Sequence, residues 1–191
     1  SPGLEDLARV EPTSRAECRA WLSDNSDSSA GIWLAVGKKG NRVTTLSYDD
    51  AVEEALCFGW IDSTVRRLDA DRFLQLFTPR RPRSIWAATN KVRVERMIAK
   101  GLMMPAGLAV IERAKADGSW TLLDDVEALV MPEDLSAALA ATPGAASGFE
   151  ALPPSIRKQQ LYRIASVKRA ETRARHIAAT VAMAQEAALG R

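Results

Sequence analysis

From Phe77 to Trp86 the chain reads Phe-Thr-Pro-Arg-Arg-Pro-Arg-Ser-Ile-Trp, which puts Arg80, Arg81 and Arg83 in one short stretch with Pro79 and Pro82. Proline narrows the unfolded ensemble of such a connection, so its arginine forks are partly ordered before anything binds. Arginine suits this role better than lysine, because a planar guanidinium grips a carboxylate or phosphate with two parallel hydrogen bonds. Trp60 and Trp86 offer flat apolar walls, Asp62 a charge partner or a base, and Ser84 and Asn90 polar anchors. Together Trp60, Asp62, Arg80, Arg81, Ser84, Trp86 and Asn90 make a candidate site for a small anionic or aromatic ligand. Each also has a plainer reading: Asp62 pairs with Arg80 or Arg81, Ser84 or Asn90 caps a helix, and the tryptophans fill the core.

Other chemistries find less material. His176 is the only histidine and lies in a basic stretch, with no Cys-x-x-Cys nearby, so no metal or cofactor site is expected. Asp49, Asp50, Glu53 and Glu54 read as the exposed face of a helix and a complement to its dipole. No Gly-x-Ser-x-Gly elbow, P-loop or Gly-x-Gly-x-x-Gly occurs. No catalytic residue is assigned, and Asp62 is the one candidate base were the protein an enzyme.

Charge is unevenly distributed. Residues 66–100 hold ten cationic side chains against three acids, and residues 157–175 hold seven against Glu171 alone, in a chain whose net charge is only +2. Arg157, Lys158, Lys168, Arg169, Arg173 and Arg175 are therefore an alternative, nucleic-acid-binding set, since phosphate contacts need little beyond such a surface. Tyr162 is the only aromatic residue interleaved with them, which is thin for stacking on single strands.

These residues need elements to hold them. The chain has 191 residues, 47% of them hydrophobic and 26% charged, in keeping with a globular α+β protein. No apolar run reaches the roughly 18 residues that span a bilayer. The start at Ser1-Pro2-Gly3 has no leader-like pattern, and the two cysteines are too few for a disulfide framework; together these predict a cytoplasmic protein.

Ser14 with Glu17 opens a helix to Asn25, Ile32–Val36 reads as a covered strand, and Ser47 caps a helix that Gly59 stops. Trp60–Val65 and Arg72–Phe77 then form a hairpin, which gives a three-stranded antiparallel sheet. Asn90 is placed to cap the next helix, with Val94, Met97 and Ile98 on its inner face, and the chain is helical from there on. The division falls at residues 1–118, carrying the hairpin and arginine loop, and 119–191, a helical part packed on the first as one compact unit.

Ala55-Leu56-Cys57-Phe58-Gly59-Trp60-Ile61-Asp62-Ser63, Phe77-Thr78-Pro79-Arg80-Arg81 and Met104-Pro105-Ala106-Gly107 resemble the YdeI/OmpD-associated, bacteriocin-protection family. Pro132-Glu133-Asp134-Leu135, Leu152-Pro153-Pro154-Ser155 and Glu171-Thr172-Arg173 look like its terminal helical region. The resemblance runs from about Trp21 onward, with Ala87 standing where a serine is usual. It implies a bacterial intracellular α+β protein and supplies no catalytic residue. The functional expectation is a protective or stress-related binding protein, non-enzymatic, holding its ligand at the seven residues named above.

Overall fold

The computed structural model describes residues 3–190; Ser1 and Pro2, on which the expectation of no leader partly falls, lie outside them. The chain divides into two compact units, Ser1–Trp120 and Thr121–Arg191.

The first unit opens with a short 3-10 turn, Leu4–Asp6, and runs β1 (Ala8–Val10), α1 (Arg15–Asn25), β2 (Ile32–Gly37), α2 (Tyr48–Cys57), β3 (Trp60–Arg67), β4 (Arg72–Pro79), α3 (Ala88–Ala99) and α4 (Pro105–Asp117). The sheet has four strands in the order β1-β2-β4-β3. It is mixed: β1 lies parallel to β2, whereas β2 with β4 and β4 with β3 are antiparallel. This corrects the three-stranded antiparallel expectation. β1 is three residues long and mostly exposed, so it has no run of alternation by which a strand announces itself.

β2 is buried on both faces because the sheet carries two apolar layers. Ile32, Leu34 and Val36 join the main core under the helices with Ala51, Val52, Leu56, Trp60 and Phe77. Trp33 and Ala35 point the other way, into a smaller layer with Leu74 and Leu76. The register of β3 on β4 shifts between Asp62 and Val65, a bulge of the kind that re-aims side chains near a strand edge.

The ends of α1 and α2 follow from local chemistry. The Ser14 hydroxyl accepts the Glu17 N–H at 3.2 Å, and the Ser47 hydroxyl accepts the Asp50 N–H at 3.2 Å. At α3 the expectation fails: Ala87 is the N-cap and Asn90 sits inside the first turn, where its Oδ1 accepts from Arg93 at 2.9 Å. Val94 and Met97 are buried, but Ile98 is exposed. α4 begins at Pro105, the favoured place for a proline, and its Gly107 lies against the Cys57 and Leu56 carbonyls, an approach that only a residue without Cβ allows.

The second unit is α5 (Leu122–Glu127), α6 (Glu133–Ala141), α7 (Ala145–Ala151), α8 (Pro154–Ser166) and α9 (Ala170–Ala188). Its core gathers Val126, Leu135, Leu139, Phe149, Leu161, Ile164 and Ala184. Gly148 lets α7 settle onto the Ala184 carbonyl of α9.

Candidate functional site

The Arg80 N–H donates to the Gly59 carbonyl at 2.9 Å, one step beyond the Trp60–Pro79 pair of the β3–β4 ladder. This sends the Arg80 side chain inward, leaving the residue only 6% exposed. Its guanidinium lies 3.6 Å from the centre of the Trp86 ring, a cation–π contact in a dry setting. Nη1 donates to the Ser84 hydroxyl at 3.0 Å and reaches the Ile85 carbonyl at 3.5 Å. Nε is buried and has no hydrogen-bond partner, alone in this among the buried side-chain nitrogens and oxygens of the described residues. No carboxylate of the described residues forms an ion pair with Arg80. Burial pulls its pKa down to about 10, against an opposing pull from the charge of Asp62.

Three more guanidiniums border the same space. Arg81, Arg83 and Arg113 line it together with Asp117 and Ser119, and it holds about 10 Å³, room for a single water-sized atom. Arg83 takes a left-handed φ of 63°, costly for a residue with a Cβ, and its N–H reaches Asp117 Oδ2 at 3.2 Å. Asp117 Oδ1 accepts from the Ser119 N–H at 2.9 Å and its hydroxyl at 2.6 Å. The Ser119 hydroxyl is the main influence holding the Asp117 carboxyl below its usual range. The one acid at this site is thus bonded to Ser119 and to the Arg83 backbone, and forms no ion pair with any of the four arginines. Arg113 donates to the Arg80 carbonyl at 3.4 Å, and Trp120 packs on Trp86 with ring centres 4.9 Å apart.

The seven residues singled out from the sequence therefore separate. Arg80, Arg81, Ser84 and Trp86 come together. Trp60 is buried in the main core, edge-on to Trp21 at 6.1 Å. Asn90 binds Arg93, whose other bond is to Asp49 at 2.7 Å. Asp62 pairs with neither Arg80 nor Arg81; it accepts a hydrogen bond from the Tyr48 hydroxyl and lines a different cavity. Arg113, Asp117 and Ser119 carried no sequence signal toward the arginine loop, being more than thirty residues away from Arg80 in the chain.

In the basic C-terminal stretch, four of the six named cations are engaged at home. Arg157 bonds the Leu152 carbonyl at 3.1 Å, Lys158 pairs with Glu127 at 2.8 Å, and Arg173 clamps Asp134 through two bonds of 2.7 and 3.0 Å. Arg175 donates to the Thr172 hydroxyl, while Lys168 and Arg169 are exposed at the start of α9. His176 Nδ1 lies 3.1 Å from the Arg163 carbonyl. Among the described residues no group of three or more His, Cys, Asp or Glu is arranged to hold a metal ion, and no helix is long and apolar enough to cross a membrane.

α2 does not present the exposed acidic face expected of it. Glu53 and Glu54 are buried rather than exposed. Arg15 reaches across from α1 with Nε 2.7 Å from Glu54 and Nη1 2.9 Å from Asp50, and Arg19 adds a 2.7 Å bond to Glu54. Arg96 of α3 approaches Glu53 at 3.3 Å. Cys18 and Cys57 are free and buried beside this network, and burial pushes the Cys18 thiol up to about 12, so both act as packing residues.

Residues 10–110 match the family model described as Domain of unknown function (DUF8412), just over half of the chain. Residues 128–187 match the model described as Bacteriocin-protection, YdeI or OmpD-Associated. This second match lies in the C-terminal unit, so the motifs at 55–63 and 77–81 fall in the stretch covered by the first. No curated protein and no solved structure matches the chain.

Proposed function

We propose, for a chain that belongs to the DUF8412 domain family and whose C-terminal unit carries the bacteriocin-protection, YdeI or OmpD-associated region, that it is a non-enzymatic binding protein for a small oxyanion held at the arginine loop. The observation that carries this reading is Arg80, a buried cation with an unpartnered Nε and no carboxylate in contact. Leaving a buried charge uncompensated is costly, on the order of several kcal/mol, and a bound anion removes much of that cost. The space beside it fits one oxygen atom, so a phosphate or carboxylate enters by a single terminal oxygen while its remaining atoms rest on Arg81, Arg83 and Arg113. That volume speaks against an aromatic guest in the same place.

The protective role named in the description of the matched family is part of this proposal, as is a place in the cytoplasm of a bacterium; the two unpaired, buried thiols favour a reducing compartment. The test is isothermal titration with inorganic phosphate and with sulfate. Arg80→Ala should weaken binding by about 1–3 kcal/mol with little loss of helical content. Equal affinity in the variant and the parent protein refutes the assignment.

A further inference from the structure

A second cavity lies on the helix side of the sheet, at the edge strand β3. Tyr48, Asp62, Ser63, Val65, Phe73 and Gln75 line it, and its volume of about 360 Å³ falls in the range of small-molecule sites. Its polar groups are mostly acceptors. Gln75 is only 2% exposed, and its Nε2 is committed to the Ser63 and Thr64 carbonyls at 3.0 and 3.3 Å, across the bulge in β3. Those two carbonyls require a donor, which fixes the amide orientation and leaves Oε1 as the end without a protein partner. Asp62 accepts from the Tyr48 hydroxyl and has no ion-pair partner among the described residues. Burial and the bond to Asp62 push the Tyr48 pKa up to about 12, so the phenol stays a donor. The rings of Tyr48 and Phe73 complete the wall. The nearest guanidinium over Tyr48, Arg93 at 5.9 Å, is already tied to Asp49.

We infer that this cavity binds a primary ammonium group, with Asp62 and Gln75 Oε1 as its acceptors and Tyr48 and Phe73 as the aromatic faces beside it. A carboxylate outside any ion pair among the described residues, an amide oxygen without a donor and two aromatic side chains all favour a cation that carries N–H bonds, and disfavour an anion. The site shares no lining residue with the arginine loop and has the opposite charge preference.

The group has two natural sources, a free amine or a lysyl side chain of a peptide, and the titration separates them. Phenethylammonium, Nα-acetyl-lysine amide and the neutral isostere 2-phenylethanol are each titrated into the full chain. At least one ammonium probe should bind about tenfold or more tightly than the alcohol; the tighter of the two names the source. Asp62→Asn should abolish the preference. Val65→Arg, at an exposed rim position, should block both ammonium probes while leaving phosphate binding at the arginine loop intact. Equal binding of amine and alcohol, no binding of either amine, or a preference that survives both substitutions would overturn the inference.

Discussion

The two units solve burial differently. The first encloses Glu53, Glu54, Gln75 and Arg80, whereas the buried polar side chains of the second are Gln160 and Thr180, bonded to each other at 3.1 Å. In the second, small residues do the work, with Gly148 and Ala184 bringing two helices into backbone contact. In the first, buried charge is tolerated because it is answered: Arg15 and Arg19 bracket Glu54 so closely that little of the ionic field is left unpaired. Arg80 breaks that pattern inside the same unit. One buried ion is matched on every side and the other is left with an orphaned donor, the difference on which the proposed anion site rests.

This contrast can be broken at Glu54. Glu54→Ala removes the buried carboxylate that Arg15 and Arg19 share, leaving Arg15 with Asp50 and Glu53 and Arg19 with the Leu102 carbonyl, and should cost about 2–4 kcal/mol in urea unfolding, the largest single effect expected in the molecule. A loss under 1 kcal/mol would mean that the network is ornamental. In the second unit the sensitive point is steric: Gly148→Ala drives a methyl group into the Ala184 carbonyl and should cost about 1–3 kcal/mol, read as a lower melting temperature.

The smallest effect sharpens the same comparison on the surface. Arg173, through its paired bonds, holds the Asp134 carboxyl below its ordinary value of 3.8. A depressed folded pKa means that the stabilisation is fully present above the unfolded value and is lost as pH falls through the lower, folded one. Asp134→Asn should therefore cost about 0.5 kcal/mol at pH 7, as exposed pairs do. The gap from the parent protein should close as pH drops below 3.8. A gap constant down to pH 2 would assign the effect to the side-chain shape rather than its charge.

Periodicity and capping chemistry made much of this architecture legible. Ser14, Ser47, Gly59 and Pro105 mark element ends by local bonds and backbone preferences that need no tertiary context. β1 stayed hidden because its order comes from β2 rather than from its own three residues. Glu53 and Glu54 looked like a solvated face, since helix spacing shows which residues share a side but not that Arg15 and Arg19 would come from another helix to meet them. At the site, Arg80, Ser84 and Trp86 were visible as neighbours in one loop, while Arg113, Asp117 and Ser119 arrive only through folding. Asp62 and Asn90 lay close in sequence and were drawn away, one by Tyr48 and the other by Arg93.

The arginine Nε–H group of Arg80 gives its own nitrogen–proton NMR resonance, assignable by its absence in Arg80→Lys, and phosphate titration reads the orphaned donor directly. A saturable downfield movement of that proton is expected, with the half-point equal to the dissociation constant from calorimetry, as the group gains its missing acceptor. A resonance that stays in place while phosphate binding goes to completion would show that the anion sits elsewhere and that the buried cation has no part in holding it.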